Sequence, residues 1–284
     1  MLTVLDIIRR SASFFEERGV PDPRLDAELL VGHALGMRRL DLYLQFDRPL
    51  EESALETIRP LVRRRGAREP LQHILGEVEF DELAIAVDGR ALIPRPETEE
   101  LLHACLARLP APPASVLDLG SGSGALALAL ARRFPKAAVH AVEADADALD
   151  LARENAGRNA LSERVRFHRG DWFEALEGLG PFQMIVANPP YLTDEEMRSA
   201  QPEVREHEPA GALSGGADGM DALRPLARGA PAWLAPGGML ALETGITHHP
   251  ALAEEAAAAG LESPESLDDS NRRPRFFFAW KPRG

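Results

Sequence analysis

Asn188-Pro189-Pro190-Tyr191 follows directly on the apolar run Met184-Ile185-Val186-Ala187. The run predicts a buried strand, and the two prolines end it, because each lacks an N–H and fixes its own φ. Proline also drives the residue before it into an extended conformation, so Asn188 is presented at the carboxyl end of a strand on a stiff backbone. Its side-chain oxygen and the Pro189 carbonyl, neither needed by a helix or sheet, can accept both hydrogens of a planar NH2 group. Tyr191 offers a ring face to pack on that group. The chemistry of such a corner is the holding of an amino or carboxamide nitrogen. A lone Asn-Pro would be no more than a strand-ending turn, so the reading needs a second feature.

Asp118-Leu119-Gly120-Ser121-Gly122-Ser123-Gly124 supplies one. It joins the apolar run Val116–Leu119 to a helical pattern. Glycines there permit a tight turn and let a ligand approach the backbone beside helix-terminal N–H donors. By itself the loop is weakly specific, since Gly120-x-Gly122-x-x-Ala125 also satisfies the loose dinucleotide fingerprint. Glu143 follows at a ribose-clamping distance, which keeps a nicotinamide enzyme among the alternatives. Glu143 closes the next strand, where its carboxylate can accept ribose hydroxyls. Asp171 and Trp172 close the third, suited to an adenine amino group and its ring face. Taken singly, Glu143 and Asp171 are ordinary loop acids and Trp172 an ordinary core aromatic. Their placement at successive carboxyl ends marks the crevice of an open α/β sheet.

The elements that must position these residues fall into two regimes. Up to about residue 73 the apolar spacing is helical: Val4, Ile7, Ile8, Ala12 and Phe15, then Leu25, Leu29 and Leu30, then Leu55, Ile58, Leu61 and Val62. Two short strands around Asp81-Glu82 predict a hairpin joining this bundle to the rest. From Ser115 strands and helices alternate, which makes a mostly parallel sheet covered on both faces. The expected division is a helical domain over 1–73, a hairpin linker over 74–95 and an α/β domain over 96–284.

At 284 residues the chain is long enough for two domains. A net charge of −13 opposes non-specific binding to phosphate backbones, although Arg63-Arg64-Arg65 with Arg68 forms one basic cluster, read as a solvated helix end. A single cysteine, Cys105, excludes an internal disulfide, and its helical setting predicts a buried apolar residue. His103 and His248-His249 read as solvated or helix-end side chains, and no metal site is expected. Neither a signal pattern nor a bilayer-length apolar run is present, which predicts a cytoplasmic protein without membrane contact.

The glycine loop, Glu143 and Asn188-Pro189-Pro190-Tyr191 resemble the class I S-adenosylmethionine-dependent methyltransferases that modify planar amino groups. The helical N-terminal region, Leu92-Ile93-Pro94-Arg95-Pro96-Glu97-Thr98-Glu99, Asp171-Trp172-Phe173 and Glu208-Pro209-Ala210-Gly211-Ala212-Leu213 narrow the resemblance to the peptide chain release factor glutamine N5-methyltransferases. The resemblance implies a doubly wound, mostly parallel seven-stranded sheet and S-adenosyl-L-methionine as cofactor, leaving as S-adenosyl-L-homocysteine. It implies a protein substrate, the glutamine of the Gly-Gly-Gln loop of class 1 release factors, and no direct nucleic-acid binding. In that reading Asn188 and Pro189 are catalytic, and Asn188 through Tyr191 bind substrate. Gly120, Ser121, Gly122, Ser123, Gly124, Glu143, Asp171, Trp172 and Asn188 bind the cofactor. The same amino clamp occurs in adenine-N6 methyltransferases and in a sister family that methylates a ribosomal-protein glutamine, and these are the alternatives. Two departures stand out: Glu143 where relatives often carry Asp, and Pro274 at the lead-in to the last strand.

Overall fold

The computed structural model describes residues 2–284, and compactness divides them into two units. The first comprises Met1–Glu77 with Gln201–His207. Its helices are α1 (Val4–Glu16), α2 (Pro23–Leu35), α3 (Arg39–Tyr43), α4 (Glu52–Gly66) and α5 (Leu71–Leu75). Thr3 opens α1 through a capping box: its hydroxyl accepts from the Asp6 N–H, and the Asp6 carboxylate accepts from the Thr3 N–H. Gly36 closes α2 in the left-handed conformation at φ 62°. The buried faces carry Val4, Ile8, Phe15, Leu30 and Ile58, positions that the helical spacing picks out, whereas Leu25, also picked out, is exposed because it lies in the first turn of α2 on the side away from the core.

The arginine cluster is not the solvated helix end expected of it. Arg65 is buried, donating to Asp26 at 2.6 Å and lying 2.8 Å from Glu203. Arg68 donates to both oxygens of Glu203, and Arg64 pairs with Glu69. The short segment 201–207, more than a hundred residues downstream, thus supplies an acid that neutralises two of these arginines.

The second unit, Val78–Ala200 with Glu208–Gly284, holds the sheet. The hairpin of β1 (Glu77–Phe80) and β2 (Leu83–Ala86) falls on this side of the division but for its first residue. After it come α6 (Pro96–Arg108), β3 (Ser115–Leu119), α7 (Ala125–Arg133), β4 (Ala138–Glu143), α8 (Ala146–Arg158), β5 (Val165–Arg169) and β6 (Phe182–Ala187). Two short helices follow, α9 (Asp194–Ser199) and α10 (Pro202–His207), the latter in the first unit. The chain ends with α11 (Leu223–Trp233), β7 (Leu234–Glu243), α12 (His249–Ala258), β8 (Glu262–Asp268) and β9 (Pro274–Trp280). The seven strands run in the order β5-β4-β3-β6-β7-β9-β8, all parallel except β9, which is antiparallel to both of its neighbours.

Burial on both faces explains why β6 reads as an unbroken apolar run: Met184, Ile185, Val186 and Ala187 are fully covered. Pro274 opens β9 opposite Asp268, beside a register irregularity in β8. The hairpin is fastened to α8 by two asparagines that mimic a neighbouring strand. Asn155 and Asn159 each accept from and donate to the backbone of β2, at Ala86 and Ala84 respectively. Asn155 also donates to the Ser123 carbonyl, so one buried carboxamide couples the hairpin to the glycine loop.

Arg65→Ala should leave the Asp26 and Glu203 carboxylates without their buried partner and cost about 3–5 kcal/mol. Denaturant unfolding of the two proteins measures it, and a loss below about 1 kcal/mol would contradict the pairing described.

Candidate active site

Order reverses at β3, which has β4 on one side and β6 on the other, and this is where an open α/β sheet leaves a crevice. The register aligns the strand ends: Leu119 stands opposite Val142 on one side and Ala187 on the other. The glycine loop, Glu143, Asp171-Trp172 and Asn188 therefore emerge along one edge. A cleft of about 530 Å³ opens there. Gly120, Ser121, Gly122, Ser123, Glu143, Asp171, Trp172, Asn188 and Pro190 line it, as the sequence reading expects. Gly124, Pro189 and Tyr191 are not among the lining residues.

Each of those three has a physical reason to be elsewhere. Gly124 begins α7 at φ 82°, and a Cβ on it would meet the Ala152 Cβ at 3.0 Å, so it serves the packing of α7 on α8. Pro189 is buried between Asn188 and Pro190, which both line the cleft. Tyr191 does not present a ring to the cleft: its hydroxyl donates to Glu243 Oε1 at 3.0 Å, and Arg275 donates to the same hydroxyl. Burial and the Glu243 charge push the Tyr191 phenol well above its ordinary range.

Glu143 is fixed before any ligand arrives. Its Oε2 accepts from the Gly122 N–H at 2.8 Å and its Oε1 from the Asp145 N–H at 3.0 Å, leaving the remaining lone pairs of both oxygens for hydroxyl donors. Trp172 adopts φ 44°, a costly conformation for an aromatic residue. Its ring lies over Gly120, where a Cβ would meet it at 3.2 Å. Below the loop, Asp118 Oδ2 and Ser121 Oγ are buried without a hydrogen-bond partner. Burial, with a smaller contribution from the Glu143 charge, pushes the Asp118 carboxyl up to about 7. Unsatisfied acceptors in a cleft wall call for a ligand rich in donors or positive charge.

Asn188 is also held. Its Nδ2 donates to Thr98 Oγ1 at 2.9 Å, and Thr98 donates to Glu243 Oε2 at 2.7 Å. Glu243 is fully buried; burial pushes its carboxyl up, against the two hydroxyl donors and Arg275. Sequence reasoning missed Glu243 and Arg275. The available signal was a carboxylate ending the apolar run Met239–Leu242, the same position in its strand that Glu143 has in β4. The two stretches that narrowed the resemblance also meet: Arg95 donates to the buried Glu208, whose other oxygen faces the Ile93 N–H. Pro94 on one stretch and Pro209 on the other line the cleft.

The histidines meet the expectation in part: His103 is solvated, and His248 and His249 stand at the start of α12 but are not solvated. His248 and His249 are buried, His249 lying between Ser266 and Thr244. His103 is exposed and comes within 3.6 Å of Asp81, which is itself engaged by Arg133.

Residues 6–76 match a family model described as the PrmC N-terminal domain, and residues 98–204 one described as the methyltransferase small domain. A protein of Deinococcus radiodurans named release factor glutamine methyltransferase is 42% identical over 280 residues, covering 98% of this chain and 99% of that protein. The Geobacter sulfurreducens protein of the same name is 44% identical, covering 86% of this chain and 84% of its own length. This chain belongs to the release factor glutamine methyltransferases. The sheet of the family is shared by a Pyrococcus furiosus methyltransferase, which is 20% identical with a TM-score of 0.53 over 70% of this chain and 89% of that one. A Thermus thermophilus 16S rRNA N2 G1207 methyltransferase, solved with AdoMet and guanosine, is 26% identical with a TM-score of 0.52. It covers 72% of this chain and 49% of that one.

S-adenosylmethionine is the cofactor of this methyltransferase, and the donor set of the cleft fits it. Asp118, Glu143, Asp145 and Asp171 are the acidic side chains of an otherwise largely apolar wall, with Arg90 its one cation, and they suit a ligand with a sulfonium, an ammonium, two ribose hydroxyls and an adenine amino group. Among the described residues no helix is long and apolar enough to cross a membrane.

The raised Asp118 carboxyl has a consequence for stability without cofactor. A carboxyl whose folded pKa exceeds its unfolded one destabilises the protein increasingly as pH rises between the two. Asp118→Asn should therefore gain melting temperature relative to the parent as pH rises from 3.8 to about 7, and level off above. A pH-independent difference would show that the carboxyl is not shifted.

Proposed function

We propose that this protein transfers a methyl group to the side-chain amide nitrogen of the glutamine in the Gly-Gly-Gln loop of class 1 peptide chain release factors. The observation that carries the reading is Asn188 at the edge of the cleft, with its nitrogen committed to Thr98 and its oxygen left to accept. S-adenosylmethionine supplies an electrophilic methyl group on sulfur. The chain supplies the geometry.

An amide nitrogen is a poor nucleophile, because its lone pair is delocalised into the carbonyl. Asn188 Oδ1 and the Pro189 carbonyl accept its two hydrogens and turn its face toward the methyl group. Fixing orientation in this way lowers barriers by several kcal/mol, up to about 7–11 in ideal cases. No side-chain base is required, since the methylated amide can release its proton to water. Gly120, Ser121, Gly122, Ser123 and Gly124 shape the cofactor turn. Glu143 accepts from the ribose, and Asp171 with Trp172 holds the adenine. A translation factor as substrate places this work in the cytoplasm.

The helical unit, in this reading, recognises the body of the release factor. Leu40 and Leu44 support it: they are one helical turn apart at α3 and are 77% and 85% exposed. Arg65 and Arg68 are tied to Glu203, which weakens the case for a nucleic-acid substrate.

Mass spectrometry of a release factor incubated with the enzyme and labelled cofactor should find one added methyl group, on the Gly-Gly-Gln peptide. Asn188→Ala should lower kcat by about a hundredfold or more while S-adenosylhomocysteine affinity changes little. Methylation elsewhere, or full turnover by the variant, would reject the clamp. Replacing Leu40 and Leu44 together by Ser should raise KM for the release factor several-fold, on the order of tenfold, with kcat unchanged. An unaltered KM would remove α3 from the recognition surface.

A further inference from the structure

Asn188 can act as an acceptor only in one of its two amide orientations. Rotated by half a turn, the side chain would present an NH2 to the substrate NH2, donor against donor. What fixes the choice lies one layer below the cleft. The Glu243 carboxylate can only accept. Thr98 must therefore donate its single hydroxyl hydrogen to Glu243 Oε2, at 2.7 Å. That spends the hydrogen and leaves an oxygen lone pair toward Asn188, which can be met only by Nδ2, at 2.9 Å. With Glu243 ionised, as its two hydroxyl donors and Arg275 favour, the orientation follows from the hydrogen count.

Tyr191, three residues after Asn188, donates to the other oxygen of the same carboxylate, and Arg275 bridges the Tyr191 hydroxyl to the Thr244 carbonyl. Both ends of the Asn-Pro-Pro-Tyr corner thus hang on Glu243, one directly and one through Thr98. Arg275 in turn lies 3.6 Å from Asp269. Such a buried arrangement is costly unless its members are satisfied: both oxygens of Glu243 are, whereas Arg275 Nε is buried without a hydrogen-bond partner.

We propose that Thr98 and Glu243 are positioning residues that lock the Asn188 carboxamide with Oδ1 toward the substrate nitrogen. The proposal rests on the reading that Asn188 holds the substrate amide. Neither residue takes or gives a proton to the substrate; their effect is confined to the direction of one dipole. The lock serves turnover rather than affinity, since it sets only the direction from which one substrate group is held.

The test compares Thr98→Val, Thr98→Ser, Glu243→Gln and Asn188→Ala with the parent enzyme, measuring kcat, KM for the release factor, S-adenosylhomocysteine binding and melting temperature. Thr98→Val keeps the shape and loses the hydroxyl; its kcat should fall by about ten- to a hundredfold, with KM and cofactor affinity within about twofold. Thr98→Ser, which returns the hydroxyl, should restore kcat to within about threefold of the parent. Glu243→Gln can donate to Thr98 as well as accept, so its kcat should fall by a smaller factor. Parental kcat in Thr98→Val or Glu243→Gln, or equal loss in Thr98→Val and Thr98→Ser, would overturn the lock. If Thr98→Val does not fold, the contrast between Glu243→Gln and Thr98→Ser decides. An inactive Asn188→Ala beside a fully active Thr98→Val would remove the lock and leave the clamp standing. An active Asn188→Ala would remove the clamp itself.

Discussion

The pairing of Ser115–Leu119 with Phe182–Ala187 sets the distance on which everything else depends. Val116, Leu117, Asp118 and Leu119 stand opposite Met184, Ile185, Val186 and Ala187, in parallel and without a break. The glycine loop leaves the end of one strand and Asn188 the end of the other. Side chains alternate along a strand, so a slip of one residue would turn the buried set of β6 inside out. With both faces of that strand packed, the register has no alternative, and the cleft between loop and corner inherits its width from it.

A second constraint comes from polar groups that the fold has taken out of water. Asn155 and Glu243 sit where an unpaired group would be expensive, and they are paired, Asn155 with backbone groups and Glu243 with Thr98 and Tyr191; half-buried Glu143 is held by two backbone N–H groups. Stability and site geometry are therefore the same hydrogen bonds. Asp118 and Ser121 differ, with buried oxygens in the cleft wall that lack a hydrogen-bond partner.

Much of this was legible in the sequence. The alternation after Ser115, the unbroken apolar run of β6 and the prolines behind Asn188 all report local physics: periodicity, burial on two faces and a missing N–H. What could not be read depends on segments far apart in the chain. Thr98 and Glu243 are separated by 145 residues, and no periodicity links them. Arg65 looks like a solvated helix-end charge until Asp26 and Glu203 are brought to it. Tyr191 was read as a ring facing the ligand because its neighbours in sequence face it; the partner that turns it inward, Glu243, comes from another strand. His248 and His249 do stand at a helix end, as read, but their burial was not legible for the same reason, since burial is set by what packs above a residue.

The central claim is that the proline-stiffened corner holds a flat carboxamide opposite the glycine turn. A crystal structure of the protein with S-adenosylhomocysteine and a Gly-Gly-Gln peptide tests it most directly. The glutamine nitrogen should lie within hydrogen-bonding distance of Asn188 Oδ1 and the Pro189 carbonyl, with the cofactor sulfur facing it from the glycine loop. A glutamine bound outside the cleft, or a cofactor seated away from Gly120 and Glu143, would contradict the account.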